Sequence, residues 1–336
     1  MKLQAKYEVS RDLIRLNTFN NELVIVDGQG RSGKNLVSVL ISTMNRVEKM
    51  RIDSNFDNIP RYYFMGKMSL DSAIAALRTE ADEKHYCNAI SRDVNFRFAD
   101  YSGVYKQGKR LIYLARLFMA GDEKAVQRLQ TSSPIFQEMT HDGLHVAPLY
   151  FEAFGSRLKL IHIFRDPIGN IFEQNIRGFG DRIGKDPREL QLTHLWQGNI
   201  IPIMAIGREE EYLGGNSLER LVLMVDIMFR RNLQGFFDLN SQNQKQVMFL
   251  EFEEFVSNPD VYMKRISQFI GDDFGKSRKR IMKNENFPRY IDPKIRIQRL
   301  EGIANNLSSH YGKILEKLIR DYDSRPWNGL GYGYVE

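Results

Sequence analysis

The stretch "VIVDGQGRSGKNLVSVLI", residues 24–41, constrains this chain more than any other part of its sequence. An apolar β-branched run gives way to a turn with glycines at 28, 30 and 33, and the turn to a second apolar run at helical spacing. The order reads strand, tight turn, helix. Gly28, Gly33 and Lys34 keep the G-x-x-x-x-G-K spacing of a phosphate-binding loop, but the Ser or Thr that holds Mg²⁺ in such loops is Asn35 here. The glycines let backbone N–H groups approach an anion, and a helix beginning near Lys34 aims the positive end of its dipole at the same spot. Arg31 adds a fork of donors, and Lys34 a point charge. The segment Gly30, Arg31, Ser32, Gly33, Lys34 and Asn35 is therefore the candidate anion cradle. The competing reading, a ligand-free strand-to-helix turn, leaves this convergence unexplained.

Further apolar runs follow at 158–164 ("LKLIHIF") and 246–252 ("QVMFLEF"), and helical patterns at 69–85, 108–130 and 257–271 separate them. The first of these helices opens on Ser69; the last has Asn258 as cap and Pro259 in its first turn. Continuous apolar strands alternating with helices predict an α/β chain whose central, mainly parallel sheet is covered by helices on both faces. Repeats, low-complexity tracts and long linkers are missing from all 336 residues, which argues for one domain with insertions. Cys87 is the single cysteine, and residues 1–20 lack an apolar stretch of leader or anchor length, so the expectation is a cytoplasmic protein without membrane insertion.

A net charge of +6 favours anionic ligands without demanding nucleic acid, because acidic residues are mixed among the basic ones. The densest basic stretch is "GKSRKRIMK" at 275–283, followed by Arg289, Lys294, Arg296 and Arg299. A solvated helix face and an anion-binding surface both account for it.

A second stretch, "RLKLIHIFRDPIGNIFEQ" at 157–174, places Arg165 and Asp166 directly after an apolar strand and before Pro167, a helix-initiating residue. If strands 23–27 and 158–164 are neighbours, two strand ends present cations to one crevice. In this pairing of "GRSGKN" with "FRDP" the chain resembles the sulfotransferase family, whose members move a sulfuryl group from 3′-phosphoadenosine 5′-phosphosulfate (PAPS) to an acceptor. The resemblance extends to "MTHDGLHV", with Thr140 and His141 where members carry a Thr-His or Thr-Pro segment. It also covers "LEFEEFVSNPDVYMKRISQFIG" at 250–271, a mid-chain helical Trp (Trp196), and a closing Leu330-Gly331-Tyr332. It spans roughly residues 22–335.

The resemblance implies a three-layer P-loop fold with the phosphosulfate loop and helix at 22–50, a helical acceptor-side insertion at 51–137 and the rest of the core at 138–336. It implies PAPS as donor, adenosine 3′,5′-bisphosphate (PAP) as product, no metal, and a small-molecule or glycan acceptor; a homo-oligomer is compatible with it. The loop residues would bind the 5′-phosphosulfate and Arg165 the 3′-phosphate. The family's two threonines after the loop glycine are Lys34 and Asn35 here, and its 3′-phosphate serine is Glu173, whose like charge would need a neighbour such as Arg177. Arg31 and Lys34 would stabilise charge on the leaving oxygen. His141 would be the general base, since imidazole suits proton transfer near neutrality. Asp53 and Asp57 are the alternatives. His145 would only shape the pocket, His162 would be core, and Glu251, Glu253 and Glu254 would support the sheet. Two other readings stay open: a Mg-dependent P-loop kinase or NTPase, and a sulfotransferase-like binding protein without catalysis. "DYSG" at 100–103 is read as a turn, since no guanine-recognition signature accompanies it.

Overall fold

The computed structural model describes residues 12–333, so the leader expectation falls partly outside the described residues. The apolar runs become strands because each can bury both faces. In chain order the strands are β1 (Leu23–Gly28), β2 (Phe136–Met139), β3 (Leu158–Phe164), β4 (Thr193–Trp196), β5 (Asn199–Pro202) and β6 (Val247–Glu251). Four of them form one sheet in the order β2-β1-β3-β6, and its parallel character is as the sequence predicts.

Alternating side chains divide the core. Leu23 and Ile25 of β1, Leu158 and Leu160 of β3, and Val247 and Phe249 of β6 pack on one face. That face is covered by α2 (Ser54–Phe64), α3 (Leu70–Ala89), α6 (Ala147–Phe154) and the long helix Ser217–Phe237. Val24, Val26, Ile161, Ile163, Met248 and Leu250 pack on the other face, against α1 (Lys34–Ile41) and the helix Pro259–Ile270. The result is three layers, helix on sheet on helix. No helix among the described residues is long and apolar enough to cross a membrane.

Two local expectations change. The helix expected over 108–130 is two, α4 (Arg110–Arg116) and α5 (Asp122–Ser132). Gly121 stands at the break, and Asp122 and Glu123 start the second helix with negative charge at its positive end. Trp196 lies on β4 rather than on a helix. The β4–β5 hairpin turns through Gln197 and Gly198 at φ 46° and 80°, a pair of positive φ values matched to the strand twist. Ser69 and Asn258 hold the cap positions as read, but neither side chain bonds a helix N–H. After β3, α7 (Pro167–Ile176) starts at Pro167, capped by Asp166, which accepts from Gly169 N–H.

Glu138, in the middle of β2, is fully buried and both of its carboxyl oxygens lack hydrogen-bond partners among the described residues. Burial pushes it from the usual 4.5 up to about 8. A carboxyl raised on folding stabilises fully below its unfolded value, and that contribution is lost as pH rises through about 8. Buried Lys49, pushed down to about 8 by the same desolvation, titrates nearby in the opposite sense, so a difference between two proteins is the clean readout. Glu138→Gln removes the carboxyl's share. The melting temperature of the variant minus that of the wild type is expected to grow by at least about 2 °C between pH 6 and 9; a constant difference would show that Glu138 does not titrate on unfolding.

Candidate functional site

The four parallel strands end along one edge of the sheet, and the segments after β1, β2, β3 and β6 meet there. The loop after β1 turns through Gly28, Arg31 and Gly33 at φ 152°, 65° and 96°. At Gly33 the requirement is double, because a Cβ would stand 2.2 Å from the Phe252 ring and the backbone is left-handed. Side chains take the loop carbonyls. Lys34 Nζ donates to Gln29 O at 2.8 Å, Asn170 Nδ2 and Gln174 Nε2 to Gly30 O at 2.9 and 3.1 Å, and Arg165 Nη1 to Arg31 O at 2.6 Å.

With its carbonyls engaged, the loop has donors left over. The N–H groups of Gly30, Arg31, Gly33, Lys34 and Asn35 have no acceptor among the described residues. Arg31 Nε, Ser32 Oγ and Arg165 Nε are buried without a partner as well. Buried donors are normally satisfied, so this cluster fits an anion with several oxygens. Lys34 is buried behind it; desolvation pushes its ammonium down, opposed by Asp142, Asp27 and Asp57.

Arg165 stands at the end of β3 as expected and lies over the Phe252 ring, 4.7 Å from its centroid. Glu173 is beside it, but the neighbour that answers its charge is not Arg177. Arg31 Nη2 is 3.1 Å from Glu173 Oε2, and Arg299 and Arg165 are 3.7 and 4.0 Å from Oε1. Although partial burial pushes this carboxyl up, the three guanidiniums hold it below the usual range. Arg299 and Arg296, read from the sequence only as members of a basic stretch, fold back here; Arg296 pairs with Asp166 at 3.1 Å. Glu253 faces the same place, with Asp166 N–H 3.3 Å and Arg165 Nε 3.9 Å away. Glu251 instead accepts from Trp327 Nε1 at 3.2 Å and pairs with Arg325, a supporting role.

His141 follows β2, and Asp57 comes to it from α2. The two had been alternatives for one task; the structure makes them a pair. Asp57 Oδ2 is 2.9 Å from His141 Nδ1, and Oδ1 accepts the His141 backbone N–H at 2.8 Å. In the neutral ring, Nδ1–H donates to the carboxylate, which leaves Nε2 as the acceptor. Asp57 is 1% exposed; burial favours its neutral form, but Arg61 at 3.7 Å and His141 hold it below the usual carboxylate range. Arg61 also donates to the His141 carbonyl, fixing the backbone beneath the ring. Asp53 only caps α2, accepting from Asn55 N–H at 2.8 Å, and meets Lys84.

Asp27, the last side chain before the loop, was read from the sequence merely as part of an apolar strand. Fully buried, it accepts from Thr140 Oγ1 at 2.8 Å, Gly143 N–H at 2.6 Å, Leu144 N–H at 2.9 Å and His162 Nδ1 at 2.7 Å. Burial raises its cost of ionisation, yet these donors hold it far below the usual range. His162 is in the core, as expected, and carries this contact. His145 donates from Nδ1 to the Asp142 carbonyl, and burial pushes its imidazole down to about 4.

Gln29, Lys34, His141, Arg165, Glu173 and Met224 all line one cleft of about 830 Å³. No protein-family model matches the sequence, and comparison with curated proteins finds no match. Among solved structures the chain is similar to the sulfotransferase domain of the Synechococcus PCC 7002 olefin synthase, with TM-score 0.44 and 12% identity over 95% of this chain and 98% of that one. It is also similar to the sulfotransferase domain of the curacin biosynthetic pathway (TM-score 0.43, 11% identity, 90% and 91% covered). A sulfotransferase from Alicyclobacillus acidocaldarius gives 0.34, 16%, 92% and 97%. At TM-scores below 0.5 these likenesses carry no argument about what the chain does, and the site stands on its own geometry.

Asp27→Asn tests the support beneath the site. An amide can still accept on one oxygen, but its NH₂ would face an N–H that now donates, leaving a buried donor unpaired. Losing hydrogen bonds to a buried carboxylate is expected to cost about 1.5–3 kcal/mol. A fall in melting temperature of several degrees checks this, and an unchanged value would show that the other strand contacts suffice.

Proposed function

We propose that the cleft transfers a sulfuryl group from PAPS to a hydroxyl or amine acceptor, releasing PAP. The observation that carries this reading is the meeting, in one cleft, of a loop full of unsatisfied donors and an imidazole whose Nε2 is free to take a proton. The 5′-phosphosulfate would lie in the cradle formed by Gly30 to Asn35, and the 3′-phosphate beside Arg165. His141 Nε2 would remove the acceptor proton as the acceptor oxygen or nitrogen bonds to sulfur and the sulfur–oxygen bond to the phosphate breaks. The negative charge left on that phosphate oxygen would meet Arg31, Lys34 and the loop N–H groups, which are already in place and need no rearrangement. Asp57 would hold the ring in the tautomer that exposes Nε2.

Asn35, where a Mg²⁺-holding hydroxyl would stand, supports this chemistry over phosphoryl transfer. A sulfuryl group carries less charge than a terminal phosphoryl group, so fixed donors can take the role a bridging cation has in kinases. In this reading the chain is one domain, and residues 51–137, which supply Asp57, form its acceptor side.

PAP is expected to bind without metal and to raise the melting temperature. At 100 times its dissociation constant the stabilisation is about 2.7 kcal/mol. A differential scanning fluorimetry shift with ATP and Mg²⁺ but none with PAP would overturn the proposal in favour of a kinase or NTPase.

Binding and chemistry separate at the His141–Asp57 pair. His141→Ala is expected to leave PAP affinity unchanged while turnover falls by about 10²- to 10⁴-fold. Asp57→Asn presents an NH₂ to Nδ1, moves the ring proton to Nε2 and should lower turnover by a similar factor. Calorimetry with PAP and a PAPS turnover assay, after an acceptor screen, measure the two effects. Near-normal rates in His141→Ala would remove the histidine from the mechanism.

A further inference from the structure

The second strand end carries a carboxylate where an anion site should be purely cationic. Glu173 lies within 4.0 Å of three guanidiniums, but only Arg31 is at hydrogen-bond distance, 3.1 Å, with Arg299 and Arg165 at 3.7 and 4.0 Å. One carboxylate therefore does not saturate the cluster. Arg31 Nε and Arg165 Nε stay buried without partners, and three guanidiniums against Glu173 leave two positive charges in excess. Glu253, 3.9 Å from Arg165, offsets less than a full charge at neutral pH, because burial pushes it up to about 7.

Two of the three guanidiniums have holds besides Glu173, whereas among the described residues the Arg31 guanidinium meets Glu173 alone. Arg165 is held by the Phe252 ring and by the Arg31 carbonyl, and Arg299 lies 4.3 Å from the Phe172 ring centroid. The Glu173 side chain is 25% exposed, so it has solvent to turn into.

We propose that Glu173 is an internal counter-anion of a phosphate subsite centred on Arg165 and Arg299, bordered by Arg31 of the loop, and that its charge sets how strongly this subsite takes a dianionic group. The excess charge suits a phosphate monoester. Such a group engages the guanidiniums only by displacing the carboxylate or by lying against it, and either way Glu173 weakens the association. The residue thereby tunes donor affinity downward and favours release of a product that carries the same phosphate. The choice of PAP as ligand rests on the sulfuryl-transfer reading; the counter-anion itself does not.

Isothermal titration of the wild type, Glu173→Gln and Glu173→Ser with PAP, adenosine 5′-phosphate and inorganic phosphate tests this. Both variants are expected to bind PAP about tenfold or more tightly than the wild type, while adenosine 5′-phosphate, which lacks the 3′-phosphate, gains less than about threefold. Unchanged or weaker PAP binding overturns the proposal, making Glu173 a support for Arg31. Equal gains for PAP and adenosine 5′-phosphate also overturn it, since the effect would then be general rather than local to the subsite. If PAP binds to none of the three proteins but the variants bind inorganic phosphate more tightly, the counter-anion stands and the sulfuryl-donor reading falls. If none of the three ligands binds any of the proteins, both are overturned.

Discussion

The site depends first on one buried carboxylate. Asp27 accepts from the end of β2 through Thr140, from the turn beyond it through Gly143 and Leu144, and from β3 through His162. It is also covalently next to Gly28, where the glycine-rich loop begins. A buried charge is tolerated only when its partners are complete, and here completing them requires three strand ends to stand in fixed relation. The separation between the loop and His141 therefore follows from one side chain and the few bonds on either side of it. A second carboxylate, Asp57, repeats the device at closer range by binding both the ring and the backbone N–H of His141.

What could be read from the sequence was what is local in it. Gly28 to Asn35 form a contiguous turn whose glycines, helix start and cations act on neighbours in the chain, so the turn and its donors were visible without a fold. Arg165 was visible for a similar reason, as the residue after an unbroken apolar strand. The sheet followed because runs such as Leu158 to Phe164 are apolar on both faces. The His141–Asp57 pair was not legible. Its members are 84 residues apart, and nothing in "RIDSNFDNIP" distinguishes Asp57, which reaches the ring, from Asp53, which caps a helix. Asp27 was hidden because one acidic residue at the end of an apolar run gives no hint of the donors converging on it. Position alone also misread Trp196, where a hairpin turn at Gln197 and Gly198 decided the local structure.

Charge at the second strand end is set by distant parts of the chain. Beside Arg165 alone, Glu173 would neutralise the site. Arg299 comes from a helix more than a hundred residues downstream, and Arg31 from the loop itself, so that the carboxylate is outnumbered. Arg296, one turn before Arg299, occupies Asp166, which keeps that acid from competing for the same guanidiniums.

The manner in which residues 51–137 join the sheet has a consequence for how such a site can change. Arg51 and Glu138 are partners in a parallel bridge, as are Val47 and Ile135, so the segment leaves and re-enters the core at adjoining points. A segment with adjoining ends can change length in its loops without changing the span that the strands carrying Gly28 and Arg165 must bridge. It also brings Asp57 with it, so whatever stands opposite the loop arrives together with the group that orients the imidazole. Under the proposed function, recognition of the acceptor and the readiness of the base would be inherited as one piece, separate from the handling of the anion.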